Sequence, residues 1–309
     1  MNSTQKVSWV AGALLIGCMA TSIPLLRQMD AMRSGSSLEE VLYIPSGKVL
    51  KRMSLGYEGL LADVYWTRAV QYFGDRHRTG AKEYALLGPL LEITTSLDPH
   101  LLVAYDYGCT FLSPPPPNGA GQPARAIKLT KYGIQHNPNE WKLYYQLGFI
   151  NYMDLHDYAA AAQAFNEGSK VPNAHPFLKV LAAQMAEHAG ERQTAFMLWS
   201  AAYQTATESS IKANAAAHIR ALQVDEDVST LERMVTAYRQ KIGRLPISFD
   251  ELHATGLLRS TPVDPLGHPY KLMADGRIEV ATPDDLPFIT KGIPPGYKPA
   301  DVPKFLPTD

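Results

Sequence analysis

Several chemical groups that define common protein classes are scarce in this chain of 309 residues. Its two cysteines, Cys18 and Cys109, are too few for a disulfide framework or a four-thiolate zinc site. The nine histidines stand singly, and no pair has the spacing of metal ligands. The sequence has no Gly-rich phosphate loop, nucleophile elbow or zincin motif. It therefore predicts no enzyme activity, no cofactor, no metal and no small-molecule substrate.

An excess of charge of one sign is also lacking. Lysine and arginine number 29 against 30 aspartate and glutamate residues, which gives a net charge of -1 and no basic footprint for nucleic acid. A hydrophobic content of 46% with 19% charged residues is that of an ordinary globular protein. These values exclude a globally disordered chain and a protein with many membrane spans.

The N-terminus carries an apolar run that indicates a membrane. It extends from Val7 to Leu26, about the 20 residues that a helix needs to cross a bilayer. Within it Leu15-Ile16-Gly17-Cys18 resembles a bacterial lipobox, which would make Cys18 an acylated first residue. An uncleaved signal anchor is the alternative, because the residues after Cys18 stay apolar. Either form predicts export to the periplasmic side, while weak flanking charge leaves the inverted topology open.

The middle of the chain has a repeating helical period. Asp98-Pro99, Asn137-Pro138 and Pro172-Asn173 each end an apolar helical stretch, since proline blocks helix continuation. Small and aromatic residues alternate at spacings of three and four, which place them on one helix face. On the first helices of the hairpins these stripes are Tyr65, Ala69, Tyr72; Ala104, Gly108, Phe111; and Tyr144, Leu147, Gly148. On the second helices they are Ala126, Gly133; Ala161, Phe165, Gly168; and Ala195, Trp199, Ala202.

These stripes and their period, near 34 residues, resemble the tetratricopeptide repeat. The resemblance covers about four hairpins from Tyr57 to Leu222. It implies a solenoid of α-hairpins that binds peptides or proteins on its concave face. The chain departs from the repeat pattern at Thr130, at Asn151 and in the insert Ser113–Pro123. Another amphipathic hairpin array remains the alternative, and the proline-rich insert is predicted to be an extended surface loop.

A second apolar stripe lies beside the core stripe on the first helices, and it is the predicted partner groove. A helix that is apolar on two adjoining stripes either buries both stripes within the protein or binds a partner with one of them. The residues of this predicted groove are Trp66, Val70, Tyr105, Cys109, Tyr145, Phe149 and Tyr152. Three alternatives remain open: the chain's own tail fills the groove, the lead-in fills it, or the register is off by one. Cys109 by itself is predicted to be a packed thiol.

The pattern changes after a helix predicted over Ser229–Gln240. Gly243-Arg244-Leu245-Pro246, Asp264-Pro265-Leu266-Gly267-His268-Pro269-Tyr270 and the strand-like Ile278-Glu279-Val280 follow, with Tyr238 before the first turn. This segment resembles the distal half of the major pseudopilins of type II secretion, which implies a helix followed by two turns and a small sheet. The chain lacks the glutamate that pseudopilins carry at the fifth position after the processed glycine, because Cys18–Ser22 contains no acid.

Some relatives of that family bind calcium in this region. The corresponding acids would be Asp264, Asp275, Asp284 and Asp285, but they do not form a loop of alternating acids, and no metal is predicted. From Pro283 to Pro307 prolines recur, so the tail is predicted to lie extended on a surface.

These observations together predict a mainly α protein with five regions. They are an anchor or lipoprotein signal (1–34), a lead-in (35–56), tetratricopeptide-like repeats (57–222), a small α+β module (223–282) and a Pro-rich tail (283–309). The predicted function is a membrane-anchored extracytoplasmic scaffold, which holds protein partners in an envelope or export complex. The alternative function is a structural subunit of a pilus-like or secretion assembly.

Overall fold

The computed structural model describes residues 47–298, and the chain divides into two compact units between Leu101 and Leu102. The described part is mainly helical, as predicted, with eleven α-helices and two short strands. The division into units falls inside the region predicted as one repeat domain, so the first predicted hairpin and the later ones belong to different units. The anchor region 1–34, with Cys18, lies outside the described residues.

The unit that contains residues 47–101 is built around one helix that is buried on nearly every side. Its helices are α1 (Gly47–Met53), α2 (Glu58–Arg78) and α3 (Leu87–Leu97), and both α1 and α2 pack against α3. The buried residues of α2 are Ala62, Tyr65, Ala69 and Tyr72, so the predicted stripe faces the interior. Helix α3 ends at Leu97, directly before Asp98-Pro99. A helix that is apolar all round has to be covered on several sides, which explains its central position.

The unit that contains residues 102–298 begins with three pairs of helices. The pairs are α4 (Leu102–Leu112) with α5 (Pro123–His136), α6 (Trp141–Met153) with α7 (Tyr158–Gly168), and α8 (Phe177–His188) with α9 (Arg192–Thr205). Each helix packs against the next along the chain, and α4 also packs against α6. The first helices of the first two pairs therefore lie side by side. Helix α5 ends directly before the predicted Asn137-Pro138, and α7 ends at Gly168, four residues before the predicted Pro172.

Glycines let the paired helices approach closely. A Cβ on Gly148 of α6 would lie 2.5 Å from the Phe165 ring of α7, and a Cβ on Gly133 of α5 would lie 2.8 Å from the Tyr105 ring of α4. Phe165 and Tyr105 are fully buried. Each ring fills the space that a missing side chain leaves, which explains why glycine is tolerated inside these helices despite its cost of about 1 kcal/mol.

The insert between α4 and α5 does not form the extended loop that the prolines predict. Its backbone turns back on the end of α4, because the amide of Ala120 donates to the Phe111 carbonyl and the amide of Gln122 donates to the Leu112 carbonyl. Gly121, at a φ of 64°, provides the left-handed conformation that this reversal needs. The short, folded loop corrects the prediction.

One helix of 34 residues, α10 (Ser209–Ile242), joins the hairpins to the C-terminal module. The predicted boundary at 222/223 therefore falls within a continuous helix. The hydrophobic core nevertheless changes there, since Leu222 packs in a cluster with α7, α8 and α9, and Val224 packs in a second cluster with the residues that follow α10. The helix ends at Gly243, whose φ of 84° is the left-handed conformation that commonly closes a helix.

The C-terminal module contains α11 (Phe249–Ala254), the antiparallel strands β1 (Lys271–Leu272) and β2 (Ile278–Glu279), and a short 3₁₀ turn (Pro283–Asp285). The Glu251 side chain stabilises the first turn of this module, which follows α10. Its carboxylate accepts two hydrogen bonds from Arg244, at 2.8 and 2.9 Å, and one from the Tyr238 hydroxyl at 2.9 Å. These bonds lower the pKa of Glu251 to about 2, with the Arg244 bonds as the largest cause.

The described part of the tail, residues 283–298, is attached to α10. The backbone amides of Thr290 and Lys291 both donate to Asp225 Oδ1, at 2.9 and 2.8 Å, and the Thr290 hydroxyl donates to Oδ2. The Phe288 ring stacks on His218 of α10, with ring centroids 3.9 Å apart. The tail was predicted to lie extended on a surface, but it begins with the turn Pro283–Asp285, and Leu286 is 1% exposed in the core that the module forms with α10.

Candidate partner-binding cleft

A cleft of about 500 Å³ opens among α4, α6 and the start of α8. Its apolar lining includes rings from all three elements, and charged side chains lie among them. The rings include Tyr107, Trp141, Tyr145 and Phe177, and the charged groups are Asp106 and Lys142. The cleft is thus formed by the first helices of three successive hairpins.

The ends of α4 and α6 are fixed to each other. The hydroxyl of Ser113, just after α4, donates to the carboxylate of Asp154, just after α6. At the other end of α6, the Glu140 side chain accepts from the Lys142 backbone amide, which caps the first turn. These contacts hold two walls of the cleft in place.

Aromatic rings continue from the cleft along α6. Tyr145 stacks with Phe149 at a centroid distance of 5.7 Å, and Phe149 meets Tyr152 edge-on at 6.3 Å. Tyr152 then contacts Tyr158 of α7 at 6.1 Å. Phe149 keeps 41% of its surface exposed. The structure therefore brings together three of the predicted groove residues in a row that begins in the cleft. Only Phe149 is exposed, because the half-buried Tyr145 and Tyr152 also pack against the core of the hairpins.

The polar side of the cleft has charges of both signs. Burial raises the pKa of Asp106, while the positive charge of Lys142 opposes that shift and the negative charge of Glu140 adds to it. The Asp106 carboxylate can accept a hydrogen bond from a partner, and the positive charge of Lys142 balances its negative charge. The cleft therefore suits a segment that is mainly apolar and offers some polar groups.

Two predicted groove residues, Tyr105 and Cys109, do not line any surface. Tyr105 is 0% exposed and Cys109 is 1% exposed, both in the interface between α4 and α5. The prediction is wrong for this pair, because the Tyr105 ring packs against Gly133 in the interior. Tyr107 lines the cleft instead. The helical period of the sequence could not show this, because Tyr105 and Tyr107 lie at equal angles on either side of the stripe formed by Ala104 and Gly108.

Cys109 is a packed thiol. Its sulfur lies 2.8 Å from the hydroxyl of Thr130, which itself donates to the Ala126 carbonyl, so the thiol is the donor in that pair. Burial raises the pKa of Cys109 to about 12. The thiol stays protonated at neutral pH. Thr130, one of the positions where the sequence departs from the repeat pattern, provides the partner for this sulfur.

The other predicted groove residues, Trp66 and Val70, lie on α2 in the first unit. Trp66 is half-buried and Val70 is 37% exposed. Cys18, the candidate lipid attachment site, lies outside the described residues.

The described residues also bear on the tail and on the predicted absences. Within residues 47–298 no helix is both long enough and apolar enough to cross a bilayer, and no cluster of three or more metal-ligating side chains could hold an ion. The part of the tail that the structure describes contributes no residue to the cleft lining. The alternative in which the chain's own tail fills the groove is therefore not met by residues 283–298, which contact α10 instead.

The chain has no match among known protein families, and no curated protein is significantly similar to it.

Proposed function

We propose that this chain is a membrane-anchored, extracytoplasmic scaffold whose helical hairpins hold a partner protein in the cleft among α4, α6 and α8. The observation that carries this proposal is the cleft itself, where aromatic side chains from three successive hairpins converge on one open surface. Aromatic residues are enriched where proteins bind one another, because they bury much apolar area at little cost in side-chain entropy.

The shape of the site favours a peptide segment over a small molecule. The aromatic row runs from Trp141 to Tyr152 on one helix. At a rise of 1.5 Å per residue this is about 16 Å, the span of roughly five residues of extended chain. Extended proline-rich segments lose little entropy on docking to aromatic grooves, and they are the class of ligand that we favour.

The close glycine contacts support a tetratricopeptide-like architecture for the hairpins. In addition to the Gly133 and Gly148 contacts, a Cβ on Gly168 of α7 would lie 2.6 Å from the Tyr144 side chain of α6. Small residues on one helix and rings on its partner interlock in successive pairs. Arrays of this kind generally act as binding surfaces and carry no chemistry of their own.

The C-terminal module supports the second candidate, a structural subunit of a pilus-like or secretion assembly. The residues that resemble the major pseudopilins each have a structural role. Gly243 ends α10, and Arg244 pairs with Glu251. Asp264 Oδ1 accepts the backbone amides of Leu266 and His268 at 2.9 Å and so closes the second turn. A module that folds in this way is suited to packing in a larger assembly.

The attachment to the membrane belongs to the same proposal. It depends on the apolar run Val7–Leu26, either as a spanning helix or, with Cys18 acylated, as a lipoprotein signal. Export places the hairpins and the C-terminal module on the periplasmic side.

Purification from native membranes in mild detergent tests the scaffold. We expect a stoichiometric companion protein with the unchanged chain and its loss with Trp141→Ala plus Tyr145→Ala. Each buried aromatic contributes on the order of 2 kcal/mol, so the double change weakens binding by roughly 100-fold or more. Phe196→Ala plus Met197→Ala, which removes two exposed side chains of α9, is the control and keeps the companion. A chain that elutes alone in every form contradicts the proposal.

A further inference from the structure

The turn between α1 and α2 exposes a concentration of large apolar side chains. Leu55 at the turn is 87% exposed, and Met53 and Tyr57 on either side of it are each 68% exposed. Leu60, one turn into α2, is 62% exposed. Single exposed apolar residues are normal on protein surfaces, but a contiguous group marks an interaction site.

The backbone at Leu55 is strained, and the fold gains no burial in return. Its φ is 50°, in the left-handed region, where a residue with a Cβ costs roughly 1–2 kcal/mol. The turn itself is closed by Ser54, which is buried and whose hydroxyl donates to the Lys51 carbonyl, while the Tyr57 amide donates to the Ser54 carbonyl. The leucine side chain contributes to neither bond. Strain at an exposed apolar residue indicates a role outside the folded chain.

The apolar surface continues along α2 on the side away from the core. Leu60 and Val64 lie one turn apart, and helical periodicity places them opposite the buried residues Ala62 and Ala69. Val49 on α1 lies one turn before Met53 and is also exposed. The turn is thus the centre of an apolar surface that spans the end of α1 and the start of α2.

Basic side chains border this surface. Lys51 and Arg52 are exposed in the last turn of α1, next to Met53. Apolar residues that can enter a bilayer interface, flanked by basic residues that attract anionic lipid, are the pattern of interfacial membrane contacts. Tyrosine, here Tyr57, prefers the headgroup level because its ring is apolar and its hydroxyl is polar. A protein partner would not require the cations at this position.

We infer that the α1–α2 turn docks on an anionic bilayer surface, with Leu55, Met53 and Tyr57 in the interface and Lys51 and Arg52 at the lipid phosphates. This inference rests on the proposed membrane attachment, since the apolar run Val7–Leu26 ends a short distance upstream of Gly47. Docking at the turn would hold the first unit against the membrane.

The test is a fluorescence measurement on the full chain in vesicles. A dansyl-bearing amino acid replaces Leu55 in one protein and Ile247, which is 80% exposed and lies in the other unit, in the control. The vesicles contain phosphatidylcholine with or without phosphatidylglycerol, and lipids with brominated acyl chains serve as quenchers. We expect a blue shift at position 55 and quenching several-fold stronger than at position 247, with the larger effect in phosphatidylglycerol.

Flotation of the vesicles separates the two proposals. If the protein floats with the vesicles but position 55 is quenched no more than position 247, the docking proposal is wrong and the proposed membrane anchor still stands. Protein that does not float overturns both. An anionic surface is ruled out if position 55 is quenched equally with and without phosphatidylglycerol. It is also ruled out if Lys51→Glu plus Arg52→Glu leaves that quenching unchanged. A blue shift that appears only when membrane proteins from the native host are added identifies a protein partner and overturns the lipid contact.

Discussion

Replacing Trp199 with alanine is expected to lower the free energy of unfolding by about 3–5 kcal/mol, the usual loss for a large aromatic residue in a core. Trp199 on α9 is 0% exposed. Its indole N–H donates to Glu187 Oε2 at 3.0 Å, and its ring stacks on His218 with centroids 4.1 Å apart. The substitution leaves a cavity between α8, α9 and α10 and removes a hydrogen-bond donor from the half-buried Glu187 carboxylate. Urea denaturation followed by circular dichroism measures the loss.

Two variants define the contribution of Trp199. Phe196→Ala on the same helix removes a ring that is 44% exposed and should cost less than 1 kcal/mol. Trp199→Phe keeps most of the ring and loses the N–H, so its effect should lie between the two. Equal midpoints for Trp199→Ala and Phe196→Ala would show that α9 does not pack in this way.

The second large effect is local and concerns Asp225. Asp225→Ala removes the acceptor for the amides of Thr290 and Lys291 and for the Thr290 hydroxyl. Hydrogen bonds to a charged group contribute about 1.5–3 kcal/mol, and the loss of several should release the tail from α10. We expect amide exchange at Thr290 and Lys291 to accelerate by roughly 100-fold, which corresponds to about 3 kcal/mol. Trypsin should then cleave after Lys291.

Asp284→Ala is the matched control for this prediction. Asp284 is exposed and accepts one hydrogen bond, from the hydroxyl of Tyr297, so its removal should leave exchange at Thr290 unchanged. Equal protection of Thr290 in Asp225→Ala and in the unchanged protein would mean that stacking of Phe288 on His218, and not the carboxylate, holds the tail.

Short-range sequence patterns predicted several helix ends and several buried residues of the helical region. Proline after Asp98 and Asn137 placed the ends of α3 and α5, because proline cannot continue a helix. Spacings of three and four placed Phe165 and Trp199 in the core. They also predicted that Tyr145, Phe149 and Tyr152 form one row, since residues at these spacings share a helix face.

The remaining features depend on contacts between distant parts of the chain. Tyr105 points inward because Gly133 on the next helix leaves room for its ring, and helical period alone could not choose between Tyr105 and Tyr107. The tail lies on α10 because Asp225 pairs with residues 65 and 66 positions away. The continuous α10 was missed because the resemblance to the repeat ends at Leu222, where a boundary was placed, although the helix has no glycine or proline before Gly243.

Photo-cross-linking in intact cells of the native host tests the scaffold most directly. A benzophenone amino acid at Tyr107, at the rim of the cleft, is compared with the same group at Tyr203, which is 40% exposed on α9. We predict one discrete partner adduct from position 107, its loss when Trp141→Ala is added, and no such adduct from position 203. No adduct at position 107, or the same adducts from both positions, would contradict a partner-binding cleft.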